Sequence, residues 1–448
     1  MSDFLTEYAV YCDTHGRPDR IELMLCDLNA VLRGKWLPGD DEEKLANGEV
    51  RLPHSTYAPN ILGAEVSETG LGIIIGDPDG RIVPIPGTLK PVPWAKGKVA
   101  QVQVEMLDPE TGELSLLSPR QQLARMVEKF HTKGWHPVLA TELEYYLIQP
   151  RANDEEPPIA PDRSPNAQNY DLEVLERMQD VLDDIVAASA IQGLATDTLI
   201  AEYGPGQFEV NFHHTDDVML AADTALLFKR LVRGVARKHG YEATFMAKPY
   251  ADHPGNGMHL HASVVDSDGK NIFDDGKDGA SDVLRAAVGG TLETMRDLVA
   301  VFAPHMNSYR RYRPMSFAPS APDWGYDNRA AGVRLPEVNG PAARLEHRIA
   351  GADVNPYLVI SAILGGMLYG LETKPELPLP LDDPKAEPAQ RLTSDWGRAV
   401  DRFAASEIAA EIFGEKYRDI YTAVRLDEIT QLTNEVSQIE YRTYLGRL

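Results

Sequence analysis

Apolar and polar positions fall into two regimes along this chain. Arg20 to Leu28 (RIELMLCDL) and Val99 to Met106 (VAQVQVEM) carry the apolar runs or alternation of strands. The turn signal Asp77-Pro78-Asp79-Gly80 lies between them, so residues 1 to about 105 read as strand-rich. The pattern changes after Leu107-Asp108-Pro109-Glu110-Thr111-Gly112. Pro119 to Phe130 has helical spacing, with Ser118 at the N-cap and Pro119 at the first helical position. Asp217 to His239 and Ser281 to Phe302 read as long amphipathic helices. Short strand candidates, at 137–148, 199–203, 207–212, 257–265 and 343–349, lie among the helices. Arg151 to Pro165 is acidic and proline-rich and reads as a surface loop. The longest uncharged stretch, Val354 to Leu371, contains Asn355, Pro356, Ser361 and three glycines. It reads as a buried helix and not as a membrane span. The expectation is an α+β protein with a boundary near residue 108, a first domain over 1–108 and a second over 109–448. The second should be a largely antiparallel sheet backed by helices.

Composition narrows the function. The 448 residues hold 44 Lys and Arg against 68 Asp and Glu, a formal net charge of −24. Nucleic-acid and anionic-membrane binding need a basic face, which argues against both. Two cysteines, Cys12 and Cys26, make neither a disulfide framework nor a Cys-rich zinc site. The segment Met1 to Asp13 lacks the basic and apolar regions of a secretory leader, and a cytoplasmic protein is expected.

The candidate chemistry sits in short segments. Glu142 and Glu144 stand two apart in Val138 to Leu147 and share one face of a strand. A solvated strand face gives the same spacing, but the flanks are apolar, and a partly buried like-charged pair needs a cation. Glu202 and Glu209 flank a Gly-Pro-Gly segment that can return both carboxylates to one region. His259 and His261 share a strand face after a glycine-rich entry. They are either hydrogen-bonded histidines or metal ligands, although no third nitrogen or sulfur ligand for zinc is near. Arg344, Glu346 and Arg348 alternate, which suits an ion-pair ladder as well as a binding site. Arg310, Arg311, Arg313, Arg329 and Arg334 add to a concentration of guanidiniums that fits carboxylate or phosphate oxygens. Five glutamates and one histidine can hold two divalent ions, Mg²⁺ or Mn²⁺ by their hard donors. Together these residues suit metal-dependent phosphoryl transfer to a small carboxylate.

These segments resemble the glutamine synthetase superfamily from about residue 20 to 370. Glu142-Leu143-Glu144-Tyr145-Tyr146 resembles its E-x-E-[FY]-[FY] strand, Gly206-Gln207-Phe208-Glu209 its G-Q-x-E, and Gly257-Met258-His259-Leu260-His261 its G-M-H-x-H. Asn307-Ser308-Tyr309-Arg310-Arg311 resembles N-S-Y-K-R. Asn328-Arg329 with Arg334-Leu335-Pro336 resembles N-R-x(4)-R-[IL]-P, and Arg344-Leu345-Glu346-His347-Arg348 resembles R-[IL]-E-x-R. The resemblance implies an N-terminal β-grasp domain and a C-terminal catalytic domain with a curved antiparallel sheet. It also implies a homo-oligomer of two hexameric rings, twelve subunits, with active sites at subunit boundaries. By position, Glu144, Glu202 and Glu209 would hold one metal, and Glu142, His259 and Glu346 the other. Arg311 and Arg348 would hold the α-carboxylate of glutamate, with Gly255 near its amino group. His261, Ser263, Arg334 and Arg344 would contact the co-substrate ATP, and Arg329 the phosphoryl group in transfer.

The chain also departs from the family pattern. Phe317-Ala318-Pro319 stands where glutamine synthetases carry a flap glutamate before Ala-Pro, and Pro53-His54-Ser55-Thr56 replaces D-G-S-S. Both lost carboxylates serve the ammonium site, and Leu377 to Pro384 lacks the tyrosine of the adenylylation loop. These changes resemble the γ-glutamyl-amine ligases, with Phe317, Trp324 and Tyr326 as an apolar amine pocket. Those aromatics could equally just pack the flap. Small monoamines are favoured over polyamines, with Asp323 the one acidic residue near the flap that tells against this. The competing expectations are a glutamine synthetase with an altered ammonium site, a catalytically silent relative and a γ-glutamyl hydrolase.

Overall fold

The computed structural model describes residues 3–162, 168–313 and 317–448, so the last part of the expected 151–165 loop lies outside the described residues. The chain opens with an unexpected helix, α1 (Asp3–His15). Phe4, Tyr8 and Tyr11 recur at helical spacing and are buried in a core with Ile21, Leu23, Leu25, Val102 and Val104. Then come β1 (Arg20–Cys26), β2 (Leu32–Arg33), β3 (Trp36–Pro38), α2 (Glu42–Ala46), β4 (Arg51–Pro53), β5 (Asp79–Pro84), β6 (Lys90–Pro91) and β7 (Val99–Met106). They form one sheet in the order β2-β1-β7-β5-β4, with β3 on β1 and β6 on β7. Its central pair, β1 and β7, is parallel, and the other pairings are antiparallel. The expected turn at 77–80 is shorter than its sequence signal. Asp77 takes a φ of 44°, and Asp79 and Gly80 already belong to β5.

α3 (Pro119–His131) begins where its pattern predicts, with Ser118 at the N-cap. The Ser118 hydroxyl does not cap the helix. It donates to Glu105 at 2.7 Å. The second sheet follows the order β13-β14-β15-β12-β8-β10-β9, with β11 on β8. Its strands are β8 (Trp135–Ile148), β9 (Thr196–Ala201), β10 (Gln207–Phe212), β11 (Glu242–Thr244), β12 (Met258–Asp266), β13 (Trp324–Tyr326), β14 (Val333–Glu337) and β15 (Arg344–His347). Among the described residues of this sheet, only β13 and β14 pair in parallel. The helices are α4 (Leu172–Arg177), α5 (Gln179–Gln192), α6 (Val218–Lys238), α7 (Asp282–Met295), α8 (Val299–Phe302), α9 (Pro356–Thr373), α10 (Trp396–Ala404), α11 (Glu407–Phe413), α12 (Glu415–Thr433) and α13 (Gln438–Tyr444). The expected single helix over 281–302 is therefore two. It breaks after Met295, where Asp297 turns out to accept from Arg402 (2.6 Å) and Ser406 (2.9 Å).

α9 is the one helix among the described residues long and apolar enough to cross a bilayer, and 83% of it is buried inside the fold. It crosses α7 backbone to backbone. A methyl group on Gly290 would lie 2.2 Å from the Gly370 nitrogen and 2.3 Å from the Gly366 oxygen, so any larger residue would force the helices apart. The N-terminal sheet meets the helices of the second part of the chain along a polar seam. Asn355 donates to the Asp27 and Leu28 carbonyls, Arg230 to Gln101 and Glu22, and Arg120 bridges Glu105 and Asp223.

Candidate active site

The second sheet gathers the candidate residues on one face. Glu209 on β10 lies opposite Glu144 on β8, and His259 on β12 lies opposite Glu142. Glu346 on β15 lies opposite both His261 on β12 and Arg334 on β14. The i, i+2 spacing thus becomes a row across four neighbouring strands, because facing residues in antiparallel pairs point the same way. Glu202 follows directly after β9.

The donor atoms form compact groups. Glu144, Glu202 and Glu209 place one oxygen each within 4.8 Å of one another. Glu142, Glu209 and His259 do the same, as do Glu142, His261 and Glu346. His259 Nδ1 lies 3.0 Å from Glu142 and 4.0 Å from Glu346. His261, expected only beside ATP, also reaches Glu142, at 2.9 Å.

Charge divides this row into two halves. In the histidine half, burial would raise the Glu142 carboxyl, but hydrogen bonds with His259 and His261 overcome it and hold it far below the usual range. Glu346 is fully buried, yet the adjacent Arg348 and the two histidines keep it low. Arg334 donates to it at 2.8 Å, and Arg348 makes a direct ion pair. In the other half Arg329 and Arg348 compensate only weakly, and the net shift is upward. Burial, then the neighbouring Glu144, pushes Glu202 up to about 7. Burial, then Glu142, Glu144 and Glu202, pushes Glu209 well above its ordinary value. Crowded buried carboxylates and imidazoles of this kind fit one or two divalent cations.

Above the row lies a cavity of about 490 Å³ whose walls include Glu142, Glu144, Glu202, Glu209, His259, Arg311, Arg329 and Arg348. The loop before β12 supplies Gly255. A Cβ there would sit 2.3 Å from the Ala247 oxygen and 2.7 Å from Arg311 Cγ, and one on Gly257 would sit 2.8 Å from Arg311 Nη2. Two bare glycines therefore make room for the buried Arg311, which donates to the Ile349 carbonyl at 2.8 Å. Gln207 fastens the same loop, donating to Gly255 O at 3.0 Å and Asn256 Oδ1 at 3.1 Å.

Not every expected residue lines this cavity. Ser263 continues the buried face of β12, and Arg344 donates to His261 Nδ1 at 3.2 Å, so the ATP set lies beside the carboxylate row, outside the cavity wall. The proposed aromatic trio is not brought together. Phe317 is in the wall, held at a φ of 60° with its ring 4.8 Å from that of Tyr203. Trp324 is buried elsewhere with its indole donating to the Pro378 carbonyl, and Tyr326 packs on Trp324. Both sit on β13, the far edge strand. Asp323 accepts from the Gly332 amide at 2.8 Å and is also absent from the wall. Pro53 ends β4 of the N-terminal sheet, His54 to Thr56 lie in the 3-10 turn that follows it, and none of the four lines the cavity. Sequence reasoning missed Asn169, Tyr170 and Tyr203, which line the wall, and gave no role to Gln207. Tyr203 directly follows a singled-out glutamate, which was the available signal.

A sheet that holds five carboxylates beneath a guanidinium-rimmed cavity is the architecture of a glutamine-synthetase-type catalytic domain. The chain belongs to the glutamine synthetase family: the family model for the glutamine synthetase catalytic domain matches residues 116–444. It is 37% identical to the γ-glutamylputrescine synthetase PuuA of Escherichia coli (strain K12), over 98% of this chain and 94% of that one. It is 34% identical to a glutamate–isopropylamine ligase of Pseudomonas sp, over 95% of each. The solved structure of GmaS without ligand superimposes with a TM-score of 0.85 at 28% identity, over 98% of this chain and 99% of that one.

Proposed function

We propose that the protein is an ATP-dependent ligase that joins the γ-carboxylate of glutamate to a small primary amine through γ-glutamyl phosphate. The observation that carries this reading is Phe317. It occupies the cavity wall above an intact carboxylate row, and by its place before Ala318-Pro319 it corresponds to the flap glutamate of the glutamine synthetases.

Arg311 and Arg348 bind the α-carboxylate of glutamate by charge-assisted hydrogen bonds, and the Gly255 carbonyl accepts from the α-amino group. This directs the γ-carboxylate toward the acidic row. Glu144, Glu202 and Glu209 would hold one divalent ion and Glu142, His259 and Glu346 another; such ions neutralise phosphate charge. His261, Ser263, Arg334 and Arg344 hold ATP at the side of the row. A γ-carboxylate oxygen attacks the terminal phosphorus of ATP, and ADP departs. Arg329, on the loop between β13 and β14, meets the charge that spreads over the transferred group. The amine nitrogen then attacks the acyl carbon, phosphate leaves, and the nitrogen gives up one proton.

Phe317 and Tyr203 form the apolar end of the amine pocket; Trp324 and Tyr326 have no part in it. A carbon chain buried there gains about 0.8 kcal/mol per CH₂, which ammonium cannot. Among the described residues, the cavity wall has no carboxylates beyond the four of the acidic row, and Asp323 is committed to Gly332. This favours a monoamine over a diamine.

The same reading takes residues 1–108 and 109–448 as the two domains and twelve chains in two hexameric rings as the assembly. A cytoplasmic location suits its ATP and glutamate supply and the free Cys12 and Cys26. The test is hydroxylamine trapping with glutamate, ATP and Mg²⁺. ATP-dependent γ-glutamyl hydroxamate is expected, and ADP release without any trapped acyl group would refute the acyl-phosphate route.

A further inference from the structure

A second cavity, of about 540 Å³, lies between α6 and the turn from Asn29 to Leu32 that joins β1 to β2. No residue is shared with the acidic cavity. Its α6 wall presents Lys229, Arg230, Arg233 and Arg237, which the helical repeat brings to one face. Lys229 and Arg230 are already engaged. Lys229 is buried and donates to the Val354 carbonyl at 2.7 Å, and Arg230 is held by Gln101 and Glu22.

Arg233 and Arg237 are different. Both are solvent-accessible, and neither has a hydrogen bond or ion pair with any described residue. Arg233 lies over the Phe245 ring at 5.3 Å. Although the residue as a whole is exposed, its guanidinium end is lowered from its ordinary value by burial and then by the charge of Arg237, one helical turn further on. The cavity contains one carboxyl, Asp353. Its Oδ2 accepts from Ser308 at 2.5 Å, and its Oδ1 is buried without a partner. Burial raises that carboxyl above its usual range, so it is a poor counter-ion for the arginines. Leu226, Phe245 and Met246 supply apolar wall between the charges. In a chain of net charge −24, two uncompensated guanidiniums in a roomy, partly apolar cavity are an anion-binding arrangement.

Two wall segments also reach the glutamate end of the acidic cavity. Asn307 exchanges two hydrogen bonds with Lys248 and opens the turn that carries Arg311. The Ala352 amide donates to Asn256 O at 3.0 Å, next to Gly255.

We propose that this second cavity binds a small organic dianion, held by Arg233 and Arg237, and that its occupancy changes the affinity for glutamate. The glutamate coupling rests on the function proposed above, whereas the binding does not. The probes are succinate for a dicarboxylate and glycerol 3-phosphate for a phosphomonoester, each titrated calorimetrically into the full-length protein at matched ionic strength. At least one should bind, and Arg233→Ala/Arg237→Ala should weaken that binding at least tenfold while leaving probe-free activity intact. The milder Arg237→Gln should weaken it in the same direction. The bound probe should shift the KM for glutamate at least threefold in wild type and not in the double variant. The proposal is overturned by the absence of binding, by binding that survives in the double variant, by an unshifted glutamate KM, or by loss of assembly in the double variant when wild type binds neither probe. If the protein proved inactive as a ligase, variant-sensitive binding would still stand and only the glutamate arm would fail.

Discussion

Two of the larger cavities are almost equal in volume, about 490 and 540 Å³, and opposite in charge. One is floored by carboxylates that burial and mutual repulsion make costly, and the other is walled by guanidiniums of which two, Arg233 and Arg237, have no counter-ion among the described residues. In a strongly acidic chain a surface carboxylate requires no explanation, since water and salt screen it. A carboxylate on the floor of a cavity, crowded by three others, is different, because that electrostatic cost persists only where a cation offsets it. Within the acidic cavity the contrast repeats on a smaller scale. The Glu142–Glu346 half has two imidazoles and two guanidiniums in direct contact, while the Glu144–Glu202–Glu209 half has no guanidinium as close. Dependence on an added metal should therefore concentrate in the second half.

The largest expected effect follows from that asymmetry. Glu144→Ala should reduce Mg²⁺-dependent ADP formation by a thousandfold or more, about 4 kcal/mol, since it removes an oxygen ligand from the half with no guanidinium as close. Full activity in a folded variant would break the contrast.

The turn that closes the arginine cavity is anchored by a carboxyl that offers a pH test. Asp27 is fully buried, accepts from the Asn29 and Val31 amides at 2.8 Å and pairs with Arg33 at 2.9 Å. Burial pushes its carboxyl up to about 6 despite these partners. A folded value raised above the unfolded 3.8 means that Asp27 contributes stability at pH below about 4, and that this is lost as pH rises through 6. The change is up to about 3 kcal/mol. Thermal melts between pH 4 and 7 should show this decline, and Asp27→Asn should flatten it.

Arg311→Ala should raise the glutamate requirement roughly 10- to 150-fold, from the loss of a charge-assisted pair of about 1.5–3 kcal/mol, with little change for ATP. Arg348 is the less clean probe, because its ion pair with Glu346 also supports the histidine half. A uniform effect of Arg311→Ala on both substrates would separate that residue from the glutamate site. Phe317→Glu should give the smallest change. It should move the amine-to-ammonium preference toward ammonium by up to about tenfold, or ~1.4 kcal/mol, read from paired kcat/KM values.

The acidic row was legible in the sequence because two-residue spacing survives folding: a strand turns i and i+2 to one side, and antiparallel neighbours continue the row. The arginine cavity was not legible. Arg233 and Arg237 read only as the polar side of an amphipathic helix, and the turn from Asn29 to Leu32 that closes the cavity lies some two hundred residues away in sequence. Short-range pattern also failed at α1, where Phe4, Tyr8 and Tyr11 carried a helical period that a strand-rich reading of 1–105 overlooked. At 281–302 the apolar period continued through Arg296 to Leu298, while the break is marked by the tertiary partners of Asp297. Trp324 was grouped with Phe317 because the two are close in sequence. Strand β13 carries Trp324 to the sheet edge, which only the pairing order reveals.

The most direct test of the central claim is glutamate-dependent ADP release measured as kcat/KM for ammonium, methylamine, isopropylamine, ethanolamine, putrescine, spermidine and aniline. With Phe317 in place of a carboxylate, a small organic monoamine should exceed ammonium by at least about tenfold, a difference of ~1.4 kcal/mol. Ammonium turned over as efficiently as the best organic amine would contradict the ligase account and leave a glutamine synthetase with an altered ammonium site in its place.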